Sequence, residues 1–203
     1  MTTAEARRLE RLWNSPFGEA YTQRNTTARY APGALHAHWV RRLGARRVLE
    51  VGCNLGLNLT EIAGFEGVAA YGVDICDYAL RRAAERLPGA RLARATAYAL
   101  PFADGAFDLV FTCGVLIHLT PDDLPRALAE IGRVSGRHVW IGEYHSECPV
   151  EIPYRGETGA LFKRDFGAEF ERCAANFRIA ESGFLGKKET GYDDLTFWLL
   201  EKT

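Results

Sequence analysis

The chain has 203 residues, 47% hydrophobic, 25% charged and 11% aromatic, with 20 glycines and 8 prolines. At about 150 residues per domain this is one folded domain, and the balance excludes a disordered, fibrous or low-complexity chain. Twenty-five basic against 26 acidic residues leave a formal charge of −1, so no overall field draws the chain to nucleic acid or anionic lipid.

The amino-terminal MTTAEARRLERLW mixes acids with bases and lacks the apolar centre of a secretory signal. No apolar run approaches the ~20 residues of a membrane span. The longest, Leu109 to Leu119, is interrupted by Thr112 and His118, and a cytoplasmic protein is expected.

The first 45 residues read as helical, broken at Asn14-Ser15-Pro16 and at Ala31-Pro32-Gly33. The helix from Pro32 to Leu43 stops at Gly44, which suits a helix C-terminus. Val48-Leu49-Glu50-Val51 is a short apolar run halted by Gly52, the pattern of a buried parallel strand. A helix from Leu57 to Ala63 follows, then a second strand, Val68 to Val73, ending at Asp74. Tyr78 to Leu87 is helical, closed by Pro88-Gly89, and Ala90 to Ala95 is a weaker strand. The turn-rich Pro101 to Gly105 leads to a strong strand over Phe107 to Thr112. Pro121 to Val134 is a helix with Thr120, Asp122 and Asp123 as N-cap candidates. His138 to Gly142 is a strand and Lys163 to Asn176 a helix. Phe177 to Gly183 and Leu195 to Leu200 form an antiparallel pair.

This alternation predicts an α/β fold: a Rossmann-like, doubly wound sheet of about seven strands, mostly parallel with an antiparallel C-terminal strand. Residues 1–203 read as a single domain, with 1–45 a helical cap, 46–203 the core and 145–163 a lid insert. Phe197 and Trp198, if exposed on an edge strand, would support a homodimer.

Cys53, Cys76, Cys113, Cys148 and Cys173 are widely spaced and never in a C-x-x-C pair, which argues against a disulfide framework or a zinc site. His145 and Cys148 make one H-x-x-C, two ligands short of a metal centre, so no metal is expected. The groups Arg7, Arg8, Arg11 and Arg41, Arg42, Arg46, Arg47 lack interleaved aromatics and read as solvated helix faces.

In such a sheet, ligands bind beyond the carboxyl ends of the strands, at the switch point. There the chain runs Glu50-Val51-Gly52-Cys53-Asn54-Leu55-Gly56-Leu57-Asn58. Gly52 and Gly56 allow a sharp turn close to a ligand, and Asp74 can accept both hydroxyls of a ribose. A dinucleotide fold would carry G-x-G-x-x-G. The E-x-G-x-x-x-G-x-N found here is a poor pyrophosphate cradle and suits a nucleoside with a cationic sulfur and an amino acid tail.

This constellation resembles the class I S-adenosylmethionine (SAM) methyltransferases, and SAM is the cofactor the resemblance implies. It assigns Glu50, Gly52, Cys53, Asn54, Gly56, Asn58, Asp74, Ile75, Thr96, Ala97, Cys113 and Gly114 to the cofactor. Thr96-Ala97-Tyr98 stands where that family usually has an acid on the adenine amine, so a backbone contact is implied instead. A closer resemblance covers nearly the whole chain. Phe17 to Tyr21 with Arg24-Asn25, Gly114 to His118, Glu143-Tyr144, Pro149 to Gly156, Leu161 to Phe166 and Asp193 to Lys202 carry it. These segments are similar to the small methylases associated with pseudaminic acid (nonulosonate sugar) biosynthesis.

Tyr21 and Arg24 would fold over the cofactor from the N-terminal helices, with Arg24 on its carboxylate and Arg29 as second choice. The charged insert before the helix at Lys163 reads as a lid and substrate reader. Asn25, His118, Glu143, Tyr154, Arg155 and Lys163 are its substrate-binding candidates, and His118, Glu143 and Tyr144 the catalytic ones. His118 is the candidate general base, its ordinary pKa near 6.5 suiting proton removal. The plainer alternatives are that His118 only packs over the cofactor, that Glu143 caps a strand and that Arg155 solvates a loop. His36, His38 and His138 read as structural.

The expected activity is methyl transfer to N or O of a small polar metabolite, a sugar or amino acid derivative, with no nucleic acid or membrane partner. Two alternatives stay open. One is chemistry on the aminobutyrate chain of SAM, by cyclisation or chain transfer. The other is a non-catalytic partner protein that keeps the fold.

Overall fold

The computed structural model describes residues 3–26, 35–191 and 193–203. The cap divides where the sequence implies, into α1 (Ala4–Trp13) and α2 (Pro16–Asn25). Ser15 is extended, its hydroxyl accepts from the Phe17 amide at 3.2 Å, and Pro16 opens α2 where an amide would be unpaired anyway. The third helix, α3 (Leu35–Leu43), ends on Gly44 at φ 60°. The expected break at Ala31-Pro32-Gly33, the start of that helix and Arg29 lie outside the described residues.

The strands are β1 (Arg47–Val51), β2 (Ala69–Asp74), β3 (Arg91–Arg94), β4 (Phe107–Cys113), β5 (Ser135–Glu143), β6 (Val150–Glu151), β7 (Phe162–Lys163), β8 (Phe177–Leu185) and β9 (Leu195–Lys202). Between them run α4 (Asp77–Arg86), α5 (Leu124–Val134), α6 (Phe166–Cys173) and the short α7 (Lys187–Thr190). Seven strands form one sheet in the order β3-β2-β1-β4-β5-β9-β8. The first five are parallel, and β9 runs antiparallel to both β5 and β8. The order reverses between β1 and β4, which opens a crevice at their carboxyl ends. β6 and β7 pair separately within the insert.

The central strands are apolar on both faces because both are covered. On one face Leu49, Val51 and Val110 meet Leu124, Leu128 and Ile131 of α5 and Phe166 and Phe170 of α6. On the other, Val48, Leu109, Phe111 and Trp140 meet Trp39 and Val40 of α3. Among the described residues no helix is long and apolar enough to cross a membrane.

Three expectations need correction. The segment Leu57 to Ala63 holds only a 3-10 turn, Leu59–Glu61. One turn suffices to bury Leu59 and Ile62, and the Glu61 carboxylate accepts from the His36 and Ala37 amides at 2.9 and 3.3 Å. The helix expected from Lys163 starts at Phe166. Lys163 is spent on β7, and the Asp165 side chain caps α6 by accepting from the Ala168 amide at 3.0 Å. β9 lies inside the sheet between β5 and β8, and Phe197 is buried against Trp39 and Trp140 on one face and Trp198 against Phe166 on the other. The homodimer argument built on their exposure therefore falls.

Candidate active site

A cleft of about 400 Å³ lies over the carboxyl ends of β1, β2 and β4, roofed by α1, α2, the insert and the loop before β9. The turn leaving β1 forms its floor. Gly52, Asn54 and Gly56 there have φ of 77°, 45° and 67°. The amides of Gly52 and Cys53 both donate to the Val73 carbonyl, at 2.8 and 2.9 Å. Asn54 N donates to Asp74 Oδ2 at 2.8 Å, Leu55 N to Asn54 Oδ1 at 2.8 Å and Gly56 N to the Cys53 carbonyl at 2.7 Å. These donors are spent internally, so the turn does not present the row of free amides that seats a pyrophosphate. A Cβ on Gly52 would stand 2.4 Å from Val115 Cγ2, whereas one on Gly56 would meet Leu87 Cδ1 at 2.6 Å. Gly52 thus borders the cleft; Gly56 serves packing behind it and does not line it.

Two carboxylates face this floor. Asp74, half-buried at the tip of β2, also accepts from Cys76 N at 2.8 Å through Oδ1. Burial raises its pKa against those bonds. Glu50 is 2% exposed, and its Oε1 accepts from Asn58 Nδ2 at 2.6 Å. Glu50 Oε2 is buried with no hydrogen-bond partner among the described residues. Burial lifts this carboxyl well above its usual range, and the neighbouring charges of Asp74 and Glu61 add to the effect. Glu50 lines the cleft, and an orphaned buried carboxylate oxygen there fits a cationic ligand group. Asn54 Nδ2 donates to Thr22 Oγ1 at 3.2 Å and ties α2 to the turn.

Ile75, Thr96, Ala97 and Tyr98 wall the β3 end, and Cys53, Cys113 and Gly114 the centre. The loop after β4 is pinned from beneath. Glu143 Oε1 accepts from the Val115 and Leu116 amides at 3.0 Å each, and Oε2 from Ile117 N at 3.4 Å. Glu143 is fully buried and does not line the cleft, so it positions this loop rather than touching a ligand, contrary to its assignment from sequence. Burial pushes its carboxyl up to about 7, against the three amides that favour the charged form.

His118 lines the cleft with Nδ1 2.6 Å from the Ala160 carbonyl. A carbonyl only accepts, so Nδ1 carries the hydrogen and Nε2 keeps its lone pair. Burial depresses the ring's pKa to about 4, so the ring is a weaker base than the ordinary value near 6.5 expected from sequence. Its ring centroid lies 4.6 Å from Trp13 and 5.1 Å from Tyr154.

The insert brings in Tyr154 and Arg155 on a two-residue turn. Tyr154 and Glu157 exchange backbone bonds of 2.8 and 2.9 Å, and Arg155 and Gly156 have φ of 52° and 88°. Arg8 of α1 donates to the carbonyls of Thr158 and Gly159 at 3.1 and 3.2 Å, joining the two halves of the roof. Tyr21, Asn25 and Tyr144 also line the cleft. The Tyr144 hydroxyl donates to Asp193 Oδ2 at 2.8 Å, and burial with that acid holds it protonated.

Arg24 and Lys163 do not line the cleft. Gly18, Thr22 and their neighbours Tyr21 and Asn25 define the inner face of α2, which turns Arg24 to solvent. The Lys163 ammonium sits 5.4 Å from the Tyr144 ring centre. Sequence reasoning missed Trp13 and gave Asp193 no role in the site. Trp13 left one signal, as the single aromatic of a charged helix, immediately before the break at Asn14. Among the described residues no group of three His, Cys, Asp or Glu side chains could hold a metal ion.

The sheet order and the helices around it are those of a Rossmann-like methyltransferase fold. Residues 49–138 match the methyltransferase domain family. The structure is similar to that of 1,6-didemethyltoxoflavin-N1-methyltransferase from Burkholderia thailandensis, solved with 1,6-didemethyltoxoflavin and S-adenosylhomocysteine. The TM-score is 0.79 at 17% identity, covering 100% of this chain and 92% of that one. Magnesium protoporphyrin IX methyltransferase from Synechocystis, solved with S-adenosylhomocysteine, gives 0.72 at 14% identity over 97% and 99%. In sequence, sterol 24-C-methyltransferase of Schizosaccharomyces pombe is 30% identical over 183 residues, 80% of this chain and 46% of that protein. Magnesium-protoporphyrin O-methyltransferase of Rhodobacter capsulatus is 26% identical over 156 residues, 66% and 69% of the two chains. The chain spans about half the length of the first curated relatives it matches.

Proposed function

We propose that this chain is a SAM-dependent methyltransferase that methylates N or O of a small polar acceptor. The observation that carries the proposal is the carboxylate pair of the floor. Asp74 sits at the tip of β2 within reach of a ribose diol, and Glu50 keeps an unpaired buried oxygen suited to an ammonium. SAM offers both groups, and its cationic sulfur makes the methyl electrophilic without acid assistance.

Glu50, Gly52, Cys53, Asn54, Asn58, Asp74, Ile75, Thr96, Ala97, Cys113 and Gly114 would hold the cofactor, with Tyr21 closing from α2. The roof, joined through Arg8, excludes water and keeps acceptor and methyl aligned. His118 Nε2 takes the acceptor's proton, while Nδ1–H stays held by Ala160. Tyr144, Tyr154, Arg155 and Asn25 contact the acceptor. The narrower likeness to methylases associated with pseudaminic acid biosynthesis belongs to the same proposal and rests on the segments from Phe17 to Lys202 quoted above.

The test is transfer of labelled methyl from SAM into a pool of small polar metabolites. The free enzyme's His118 stays neutral down to about 4, so kcat/KM should lack an inflection near 6.5 from this group. His118→Gln should lower kcat about 100-fold with the KM for SAM unchanged. Methylthioadenosine released without any acceptor, or no labelled product, would contradict the proposal.

A further inference from the structure

We infer that Glu10, from the cap helix α1, reads the base of the cofactor by accepting a hydrogen bond from its 6-amino group. The inference rests on the methyltransferase proposal and adds a specificity residue to it. With the ammonium at Glu50 on β1 and the ribose at Asp74 on β2, the ligand follows the sheet order from β1 across β2 toward β3. Its base then falls beyond β2, where Ile75, Thr96, Ala97 and Tyr98 wall the cleft.

That end is poor in side chains able to accept from an amine. Ile75 and Ala97 have no polar side-chain atom, and Thr96 Oγ1 already accepts from Tyr98 N at 3.3 Å. Glu10 lines the cleft here. With Ile75, Ala95 and Thr96 it also lines the groove that continues the cleft outward past Arg7, Arg11 and Arg94. Its carboxylate therefore stands at the rim of the base site, on the side of α1.

The pattern of α1 makes this carboxylate an exception. Ala6, Leu9, Glu10 and Trp13 are spaced three and four apart, which places them on one face of the helix, and all four line the cleft. Ala6 and Leu9 are buried; Glu10 is half-buried and is the one charged residue on that face. Among the described residues its carboxylate enters no salt bridge, since Arg8 turns to Glu5 at 2.6 Å and Arg94 to Asp77 at 3.4 Å. The other three acids lining the cleft are engaged elsewhere. Asp74 holds the Asn54 and Cys76 amides, Glu50 holds Asn58, and Asp193 bonds Lys187 and Tyr144 at the far end.

The backbone that presents Glu10 is fixed at both ends. Thr3 N donates to Asp123 Oδ1 at 3.2 Å, and the Thr3 hydroxyl donates to Oδ2. At the other end Asp77 N donates to Asn14 Oδ1 at 3.1 Å, and Asn14 N donates to the Glu10 carbonyl at 3.0 Å. Glu10 thus sits one helical turn from an anchor on the segment that leaves Asp74. An amine on the base donates to such a carboxylate, whereas an oxo group in its place would set two acceptors against each other.

The experiment titrates the full chain by calorimetry with S-adenosylhomocysteine and with S-inosylhomocysteine, whose base carries a 6-oxo group in place of the 6-amine. The wild type should bind S-adenosylhomocysteine at least about 100-fold tighter. Glu10→Ala, which keeps a good helix former in α1, should weaken S-adenosylhomocysteine and not S-inosylhomocysteine, shrinking the preference at least about tenfold. A smaller loss of preference overturns the inference. Equal weakening of both ligands, the mark of a merely structural role for Glu10, overturns it too, as does a wild type that binds the two alike. Failure of S-adenosylhomocysteine to bind the wild type counts against the methyltransferase proposal instead, and that titration is read first.

Discussion

Glu50→Gln should make the free protein more stable and its cofactor binding weaker. In the free protein the Glu50 carboxyl is buried, one oxygen has no donor, and nearby acids add to the cost of its charge. Glutamine keeps the shape and the Asn58 bond without that charge, which should add about 1–3 kcal/mol to stability near neutral pH. The pH dependence has a definite sign. The folded pKa lies above the unfolded one, so the folded chain retains a proton that the unfolded chain has released. The wild type therefore loses stability as pH rises above the usual carboxylate range, and Glu50→Gln should flatten that loss. SAM affinity should fall by about 10- to 100-fold, the worth of a charge-assisted bond to an ammonium. Thermal melts across pH and calorimetry measure both arms; a less stable variant with unchanged affinity would refute the role given to Glu50.

Gly52→Ala should damage both stability and binding. The residue has φ 77°, which costs an L side chain about 1–2 kcal/mol. Its new Cβ would stand 2.4 Å from Val115 Cγ2. Val115 cannot yield cheaply, because it is β-branched and its loop is fixed by three amides on Glu143. A total loss of about 2–4 kcal/mol is expected, with S-adenosylhomocysteine affinity reduced at least about 100-fold. Gly44→Ala is the control. Its φ is 60°, and nothing lies within 4 Å of the added Cβ. It should cost only the backbone term of about 1–2 kcal/mol and leave binding intact. Equal effects of the two substitutions would mean that the approach of Gly52 to Val115 has no bearing on the site.

The fold was legible because β1, β2, β4 and β5 are buried on both faces, and double burial writes continuous apolar runs into the chain. Leu57 to Ala63 misled because Leu59 and Ile62, three apart, are served as well by one 3-10 turn as by a helix. In the site, Glu50, Gly52 and Asp74 stood out because a tight turn against a ligand admits few residue types. Long side chains were harder. Arg24 and Lys163 carry suitable charge, but the helix face and strand pairing that aim them outward depend on contacts distant in sequence. Glu143 reads from sequence as a ligand-contacting acid because its partners at Val115 to Ile117 lie a whole helix and strand earlier in the chain. Phe197 and Trp198 are covered by Trp39 and Trp140 on one face of the sheet and by Phe166 on the other, contacts distant in sequence that the strand pattern alone does not give.

We propose that the crevice between β1 and β4 receives an adenosyl sulfonium gripped by Asp74. Calorimetric titration of S-adenosylhomocysteine into the wild type and into Asp74→Ala tests it most directly. One-to-one micromolar binding in the wild type, weakened at least about 100-fold in the variant, is the predicted result. Equal heats in both proteins, or none in the wild type, would contradict it.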